Sequence, residues 1–447
     1  MIQGNLIFLL IIYVASLFLI SWLVSRRQQS EDFLIAGRNR KSWQILLSKF
    51  ASSIGAGYFI TYTGFAYEYG VGIFGMFIGM FAGFLFFAYW AAPRIARGSK
   101  EGKFYTIGHF VYSKLQNDKA RILADIFSSG ILFGWLLVGV IGSGKIIADF
   151  ELLSYNLAVA VTSVVVLGYL LLAGFRAVIL TDVIQSAVIF ILMTVITFGI
   201  IQNSSFSELH FSSASELDLG VAFGFFLFGV LSVFSYSDRY QLSYAAQDER
   251  GLKNGLGLAI LPIGIIAYFL FLIGVFMANQ VPGLDSGLVF TEALKQFLNP
   301  KLVPLAIVLF FAGIMSSADT NIYAISSHYA LSKPKSKNYA KDVRWAMVGL
   351  TAGLTVLAII FPYVVKVSLV AGAISLLLSW PMIYVISGGR NPNRFIGSII
   401  TSTLGLIGAL VFLGLEPTAA IVIILFGPIG LLYSGWKIKK AGNCIPS

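Results

Sequence analysis

The sequence predicts an all-α polytopic membrane protein with about 13 transmembrane helices. Three observations predict this fold class: the composition, a series of long apolar blocks and the placement of the basic residues. Of the 447 residues, 57% are hydrophobic and only 11% are charged, whereas about a quarter of the residues in a soluble domain are charged. So few charges could not cover a soluble surface of this size, and we expect lipid to surround the chain.

Apolar blocks follow one another along the whole chain. A spanning helix needs about 20 apolar residues, and several of these blocks include glycine and serine. The predicted spans are 5–25, 43–66, 71–97, 120–148, 153–173, 176–201, 218–240, 253–279, 302–331, 343–364, 366–387, 394–414 and 417–436. No segment between them is long enough for a sizeable soluble domain, so we expect one membrane domain.

The basic residues orient these spans. With the N-terminus outside and the C-terminus cytoplasmic, most of the 31 lysines and arginines fall in cytoplasmic loops, the bias that orients membrane helices. The exceptions are Lys145, Lys295, Lys301 and Lys366, outside, and Lys49, within a span. The net charge of +11 is thus a topology signal and needs no nucleic-acid partner. Arg26 and Arg27 follow the first block, which favours a retained helix over a signal peptide.

Other function classes lack their signatures in the sequence. Cys444 is the single cysteine, and the three histidines lack metal-ligand spacing. No phosphate-binding G-x-x-x-x-G-K-[ST] motif is present, which argues against an ATP-driven pump. We therefore do not expect an enzyme.

Polar residues inside the spans mark candidate sites, because such residues are costly in lipid. Two serines and two glycines between residues 52 and 57 weaken the helix of span 43–66, since glycine costs about 1 kcal/mol relative to alanine. An unwound turn would free backbone carbonyls for a cation and amides for an anion. Close packing against another helix is the alternative interpretation.

Asp182 lies about two turns into the span 176–201, beside Thr181 and Gln185. A carboxylate at that depth needs a cation, a hydrogen-bond donor or a proton. We interpret it as functional, and a structural hydrogen bond to a neighbouring helix is the alternative.

The span 302–331 carries a cluster of side-chain oxygens. Ser316, Asp319 and Thr320 occupy positions i, i+3 and i+4, so they share one face of a helix. Hard cations prefer several converging oxygen ligands. The pattern predicts cation binding, and a polar seam between helices is the alternative.

Serines alternate with aromatic residues at Ser232, Phe234 and Tyr236, which suits a solute pocket. We interpret the following Asp238 and Arg239 as a charge pair at the membrane interface. This segment and the one near residues 53–57 are the two predicted helix breaks.

Lys49 has two interpretations. Its long side chain could extend to the cytoplasmic interface, which we favour. The alternative is a fixed ammonium near Asp182 or Asp319 that replaces a cation or forms an inner gate.

Each predicted break lies in the first of five consecutive spans, as in transporters built from inverted repeats. We therefore predict four parts. They are an extra N-terminal helix and cytoplasmic loop (1–42), a first five-helix repeat (43–201), a second, inverted repeat (218–387), and two C-terminal helices with a short tail (388–447).

Five segments in order resemble the sodium:solute symporter family. They are DFLIAGR at 32–38, FASSIGAG at 50–57 followed by GFAYEYG at 64–70, GFRAVILTDVIQ at 174–185, MSSAD at 315–319, and a weaker patch at 238–253. No single motif is specific, but five in the family's order are.

The resemblance implies a leucine-transporter-type fold, with two inverted five-helix repeats, and a sodium-coupled symporter. The main sodium ligands that it implies are backbone or hydroxyl oxygens of Ala51, Ile54, Gly313, Ser316 and Ser317. The residues implied for a second cation are Asp182, Asp319 and Thr320. Lys49 departs from the commonest family pattern and leaves proton coupling open.

We expect import of a small organic solute by alternating access, with sodium as the coupling ion, through a monomeric transport unit in the plasma membrane. The predicted solute-binding residues are Ser53, Gly55, Ala56, Ser232, Phe234, Tyr236, Ser129 and Trp135, and Lys49 is the predicted gating or coupling residue. A proton-coupled transporter of the same fold and a channel or non-transporting partner stay open. The solute could be a sugar, an amino acid, a carboxylate or a vitamin.

Overall fold

The computed structural model describes residues 2–26, 35–102, 104–203, 218–331, 338–414 and 416–433. Residues 32–34 of the first motif, the basic residues at 333–337 and Cys444 lie outside these ranges.

Helices account for nearly all of the described chain. Their bounds are α1 Ile2–Ser25, α2 Ser42–Ser53, α3 Ala56–Tyr69, α4 Phe74–Phe86, α5 Ala92–Gly102, α6 Ile107–Leu115, α7 Asp118–Asp149, α8 Tyr155–Asn203, α9 Leu219–Ser232, α10 Ser237–Ala245, α11 Glu249–Gln280, α12 Val289–Phe297, α13 Val303–Leu331, α14 Tyr339–Ile360, α15 Val364–Ile386, α16 Pro392–Phe412 and α17 Ala419–Tyr433. A π-helical turn, Phe87–Ala91, joins α4 to α5.

The all-helical class is confirmed for this part of the chain, which contains eleven helices long and apolar enough to cross a membrane. The protein is therefore an integral membrane protein. Two predicted spans are not among the eleven. The span 43–66 is divided into α2, which has 12 residues, and α3, which is counted with the helices after it in the stretch Gly57–Lys100. The described part of the last span, α17, has 15 residues. The count of 13 stays a prediction, as does the division into two five-helix repeats.

The connection near Arg176 differs from the prediction. We expected a loop between two spans, but the helical hydrogen-bond pattern of α8 runs from Tyr155 to Asn203. Two apolar stretches within it, Tyr155–Leu172 and Val178–Gln202, are each long enough to span. The backbone hydrogen bonds of this short connection are therefore made within the helix, as a lipid environment requires.

The centre of the molecule is α13. Of its apolar window, 78% is buried inside the protein, compared with 17% for α1. It packs against α7, α8 and α14 and also meets α2 and α3. Polar side chains on α13 thus face other helices rather than lipid.

Candidate functional site

The first predicted break lies between α2 and α3. Ile54 and Gly55 leave the helical conformation, with ψ angles of 75° and 177°. The Ile54 amide still donates to the Ala51 carbonyl at 3.1 Å, and the Gly55 carbonyl accepts from the Tyr58 amide at 2.9 Å. Both half-helices are thus closed by local bonds, and the break in span 43–66 is confirmed.

This break lies directly against α13. A Cβ atom added to Gly313 would stand 2.7 Å from the Ile54 carbonyl oxygen, and one added to Gly55 would overlap the Ser317 hydroxyl. Such an approach is open only to residues without a side chain. The two glycines therefore let the unwound turn contact the oxygen-bearing part of α13.

The predicted sodium ligands come together at this contact in part. The Ile54 carbonyl, Gly313 and the Ser317 hydroxyl are neighbours, and Ser317 donates to the Gly313 carbonyl at 3.0 Å. The Ala51 carbonyl lies one helical turn before the break. The Ser316 hydroxyl instead donates to an oxygen of Asp182. Four of the five predicted residues thus line the break, and the fifth links it to a carboxylate.

Asp182 connects three helices. One of its oxygens accepts from Ser316 on α13, and the other accepts from Ser48 on α2 at 2.5 Å. Its exposed fraction is 0%. The carboxylate therefore joins α2, α8 and α13 just below the break, where a cation would have oxygen ligands at hand.

Asp319, predicted with Asp182 for a second cation, lies in the same buried region. It accepts a hydrogen bond from the Tyr169 hydroxyl at 2.9 Å. Thr320 donates to the Ser316 carbonyl at 3.0 Å, so its hydroxyl hydrogen is already used within α13. Among the described residues no group of three or more His, Cys, Asp or Glu side chains could hold a metal.

The second predicted break is also present, between α9 and α10. Backbone carbonyls that have no helical hydrogen bond at this break are bonded by side chains. The Phe234 carbonyl accepts from the Tyr240 hydroxyl at 2.8 Å, and the Ser235 carbonyl accepts from the Ser128 hydroxyl at 3.3 Å. The Ser235 hydroxyl donates to the Ser375 carbonyl of α15 at 2.6 Å. Buried backbone outside a helix needs such bonds in a membrane, and here they fix the turn to α7 and α15.

Two charge predictions are wrong. Lys49 does not extend to the interface: its exposed fraction is 3%, and its ammonium is paired with Asp238. Asp238 and Arg239 are not interfacial either, since their exposed fractions are 7% and 6%. The break before α10 turns these two residues into the protein, where Asp238 rather than Asp182 or Asp319 becomes the partner of Lys49.

The two breaks meet at a cavity of about 180 Å³. Its base is formed by Lys49, Asp238 and Arg239, and it extends to Glu416 and Pro417 at the end that the predicted topology places outside. Its walls are mainly aromatic and aliphatic, as is common in small-molecule sites. Tyr58, Tyr62, Phe65, Met76, Met80, Phe84, Leu132, Phe225, Phe228, Leu369 and Leu376 are among the lining residues.

Most of the predicted solute-binding residues line this cavity. Those that do are Ser53, Gly55, Ser232, Tyr236 and Trp135. The Trp135 indole donates to the Tyr236 hydroxyl at 2.8 Å, so the two side chains form one wall.

Two predicted solute-binding residues do not line the cavity, and one cannot be placed. Phe234 is fully buried against Phe86 and Phe87, and Ser129 is bonded to His328 at 2.9 Å. The side chain of Ala56 lies outside the described residues.

Sequence reasoning missed several lining residues. Tyr58, Thr61 and Tyr62 follow the first break at i, i+3 and i+4, a spacing that places them on one helix face. The Tyr58 and Tyr62 rings are stacked at 3.8 Å. The i, i+3, i+4 spacing of these polar aromatic and hydroxyl residues was the sequence signal that could have identified them as lining residues. Nothing local in the sequence pointed to Ser48 or Tyr169, because both act through distant carboxylates.

Comparison with known proteins supports the family resemblance. The model of the sodium:solute symporter family matches residues 33–219, which confirms the resemblance predicted from the motifs. The chain is 23% identical over 379 residues to the sodium/pantothenate symporter of Haemophilus influenzae, covering 78% of this chain and 77% of that one. It is 24% identical over 381 residues to the osmoregulated proline transporter OpuE of Bacillus subtilis, covering 78% and 75%.

Solved structures show the fold. A Na⁺-coupled sialic acid symporter in a substrate-bound, outward-open state matches 97% of this chain and 98% of its own, with a TM-score of 0.81 and 17% identity. A nucleobase-cation-symport-1 family transporter in a closed conformation matches with a TM-score of 0.56 and 13% identity. These likenesses support the predicted leucine-transporter-type fold.

Proposed function

We propose that this chain, a relative of the sodium:solute symporters, is a sodium-coupled symporter that imports a small organic solute by alternating access. The observation that carries the proposal is the contact between the α2–α3 break and α13. It sets the Ile54 carbonyl against Gly313 and the Ser317 hydroxyl against Gly55, beside the cavity.

Sodium, as cargo, would bind where these oxygens converge. A sodium ion there is held by carbonyls of α2 and by oxygens of α13, so its binding ties the broken helix to the intact one. Because Gly55 and Ser317 also line the cavity, the same event shapes the solute site. Differential binding of this kind shifts a conformational equilibrium towards the state with the better site.

Inward release then needs the base of the cavity to open. Lys49 on α2 and Asp238 on α10 close it with a buried ion pair. Separation of α2 from α10 would break this pair and open a path from the cavity to the cytoplasmic side. Lys49 is thus proposed as the gating residue, with Asp238 as its partner.

The coupling ion and the solute can be found in one experiment. The purified full chain is screened by thermal shift against small solutes, in sodium chloride and in choline chloride. We expect a solute that stabilises the chain in sodium only, and sodium-driven uptake of that solute into proteoliposomes. Uptake that is equal without a sodium gradient would contradict the proposal.

A proton-coupled transporter of the same fold is the second candidate. Two fully buried carboxylates, Asp182 and Asp319, favour it, since such groups serve as proton relays in other transporters. Uptake driven by a pH gradient in sodium-free buffer, and lost in Asp182→Asn, would select this candidate.

We further propose that the chain works in the plasma membrane with its N-terminus outside, as a monomeric transport unit. The distribution of basic residues supports this orientation.

A further inference from the structure

Arg239 is a buried cation that lacks hydrogen-bond partners on two of its nitrogens. Its exposed fraction is 6%, and neither Nε nor Nη1 has a partner in the described part of the chain. Its side chain lines the cavity. Buried N–H groups that make no hydrogen bond are costly, and an anionic ligand in the cavity would satisfy them.

The charges around Arg239 leave room for an anion. Lys49, Asp238, Arg239 and Glu416 are the charged residues that line the cavity. Glu416 is exposed at the far end, where it accepts from the Tyr69 hydroxyl. The base therefore holds two cations and one carboxylate. Asp238 bonds Lys49 through Oδ2, and its Oδ1, which also lacks a hydrogen-bond partner among the described residues, lies 4.0 Å from Arg239 Nη1, beyond hydrogen-bond distance.

The other nearby carboxylate is Asp182. Both of its oxygens already accept hydrogen bonds, one from Ser48 and one from Ser316. It therefore does not supply the missing partner of Arg239.

Two aromatic rings and a helix end hold the guanidinium in place. Its carbon lies 4.6 Å from the Phe84 ring centroid and 4.8 Å from that of Tyr236, contacts that orient a guanidinium without using its N–H groups. Arg239 is also in the first turn of α10, whose N-cap, Tyr236, makes no side-chain capping bond. The positive end of that helix adds to the attraction for an anion.

We propose that Arg239 binds a carboxylate of the transported solute, so that the solute is a small organic carboxylate with an apolar body. This deepens the proposed function and rests on it. A guanidinium matches a carboxylate with paired N–H donors. The single cation in surplus suits one negative charge, and the Tyr58–Tyr62 stack suits the apolar part.

The test compares acids with their neutral amides. Propionate, lactate, benzoate and phenylacetate, each with its amide, are titrated into the purified full chain in sodium chloride, with thermal stability as the readout. We expect at least one acid to stabilise the chain in a saturable way while its amide does not. The affinity of the Arg239→Gln variant for that acid should be at least about tenfold lower than that of the unaltered chain, as expected for loss of a charge-assisted hydrogen bond. Arg239→Lys, which keeps the charge, should recover part of it.

Arg97→Gln is the matched control, because Arg97 pairs with Glu249 at the surface and does not line this cavity. It should leave acid binding unchanged. The proposal is overturned if no acid of the panel stabilises the chain more than its amide, or if Arg239→Gln binds the acid within twofold of the unaltered chain. A neutral solute that binds only in sodium would overturn the carboxylate proposal and keep the symporter. An acid that binds equally without sodium would keep the carboxylate site and overturn sodium coupling.

Discussion

At the scale of single residues, the buried charges at the base of the cavity are the least ordinary feature of the chain. Asp238 lies between Lys49 and Arg239, and all three are more than nine-tenths buried. Removing one member of a buried ion pair leaves an uncompensated charge, which is much more costly than removing an exposed one. Asp238 is the only acidic member of the three, and it lies beside both cations.

Asp238→Asn should therefore destabilise the protein by about 3–5 kcal/mol, because it leaves two buried cations together. Lys49→Gln should cost less, since Asp238 still has Arg239 beside it. Thermal unfolding of the purified chain measures both. Asp118→Asn is the control, because Asp118 pairs with Arg121 at an exposed site, and its effect should be small. A larger loss for Lys49→Gln than for Asp238→Asn would contradict this account.

The sequence identified which residue types were out of place in lipid, but not their partners. Asp182 and Lys49 could be singled out because ionisable residues inside spans are costly. Their partners lie far along the chain: Ser48 is 134 residues from Asp182, and Lys49 is 189 residues from Asp238. Such pairs depend on how helices pack, which local patterns do not determine.

At the scale of helices, the two breaks have different origins. The α2–α3 break rests on glycines that allow α13 to approach, whereas the α9–α10 break is held by hydroxyl groups. The first position could be predicted because two serines and two glycines within six residues weaken a helix, and the second because serines alternate with aromatic residues there. The helical continuation of α8 past Arg176 could not be predicted, because a connection that keeps its helical hydrogen bonds does not change the hydropathy pattern.

Gly313→Ala tests the first break. The added Cβ atom would meet the Ile54 carbonyl oxygen at 2.7 Å, and a backbone oxygen cannot turn aside. The helices must separate, so we expect the sodium concentration for half-maximal binding to rise at least about tenfold, or about 1.4 kcal/mol. The control is Gly353→Ala on α14, where an added Cβ has no atom within 4 Å. Unchanged sodium affinity in Gly313→Ala would show that this contact is not part of the site.

At the scale of the whole molecule, the cavity is closed at one end by ion pairs and reaches an exposed residue at the other. This asymmetry is what an alternating-access transporter shows in a single conformation. The predicted topology places the exposed end outside and the ion pairs towards the cytoplasm.

Cysteine accessibility checks this arrangement. In a Cys444→Ser background, which removes the single native cysteine, Ala373→Cys lies on the cavity wall and Gln247→Cys is exposed near the other face. A membrane-impermeant thiol reagent added outside intact cells should label Ala373→Cys, and faster in sodium, but not Gln247→Cys. Labelling of Gln247→Cys alone would reverse the orientation.

The most direct test of the central claim is the binding of radioactive sodium to the purified full chain, which needs no knowledge of the solute. We predict saturable binding that is lost in the double variant Ser316→Ala with Ser317→Ala. It should be retained in Thr401→Ala with Thr403→Ala, whose hydroxyls bond only within α16. Equal sodium binding by the two double variants would contradict the claim that the α2–α3 break and α13 form the coupling site.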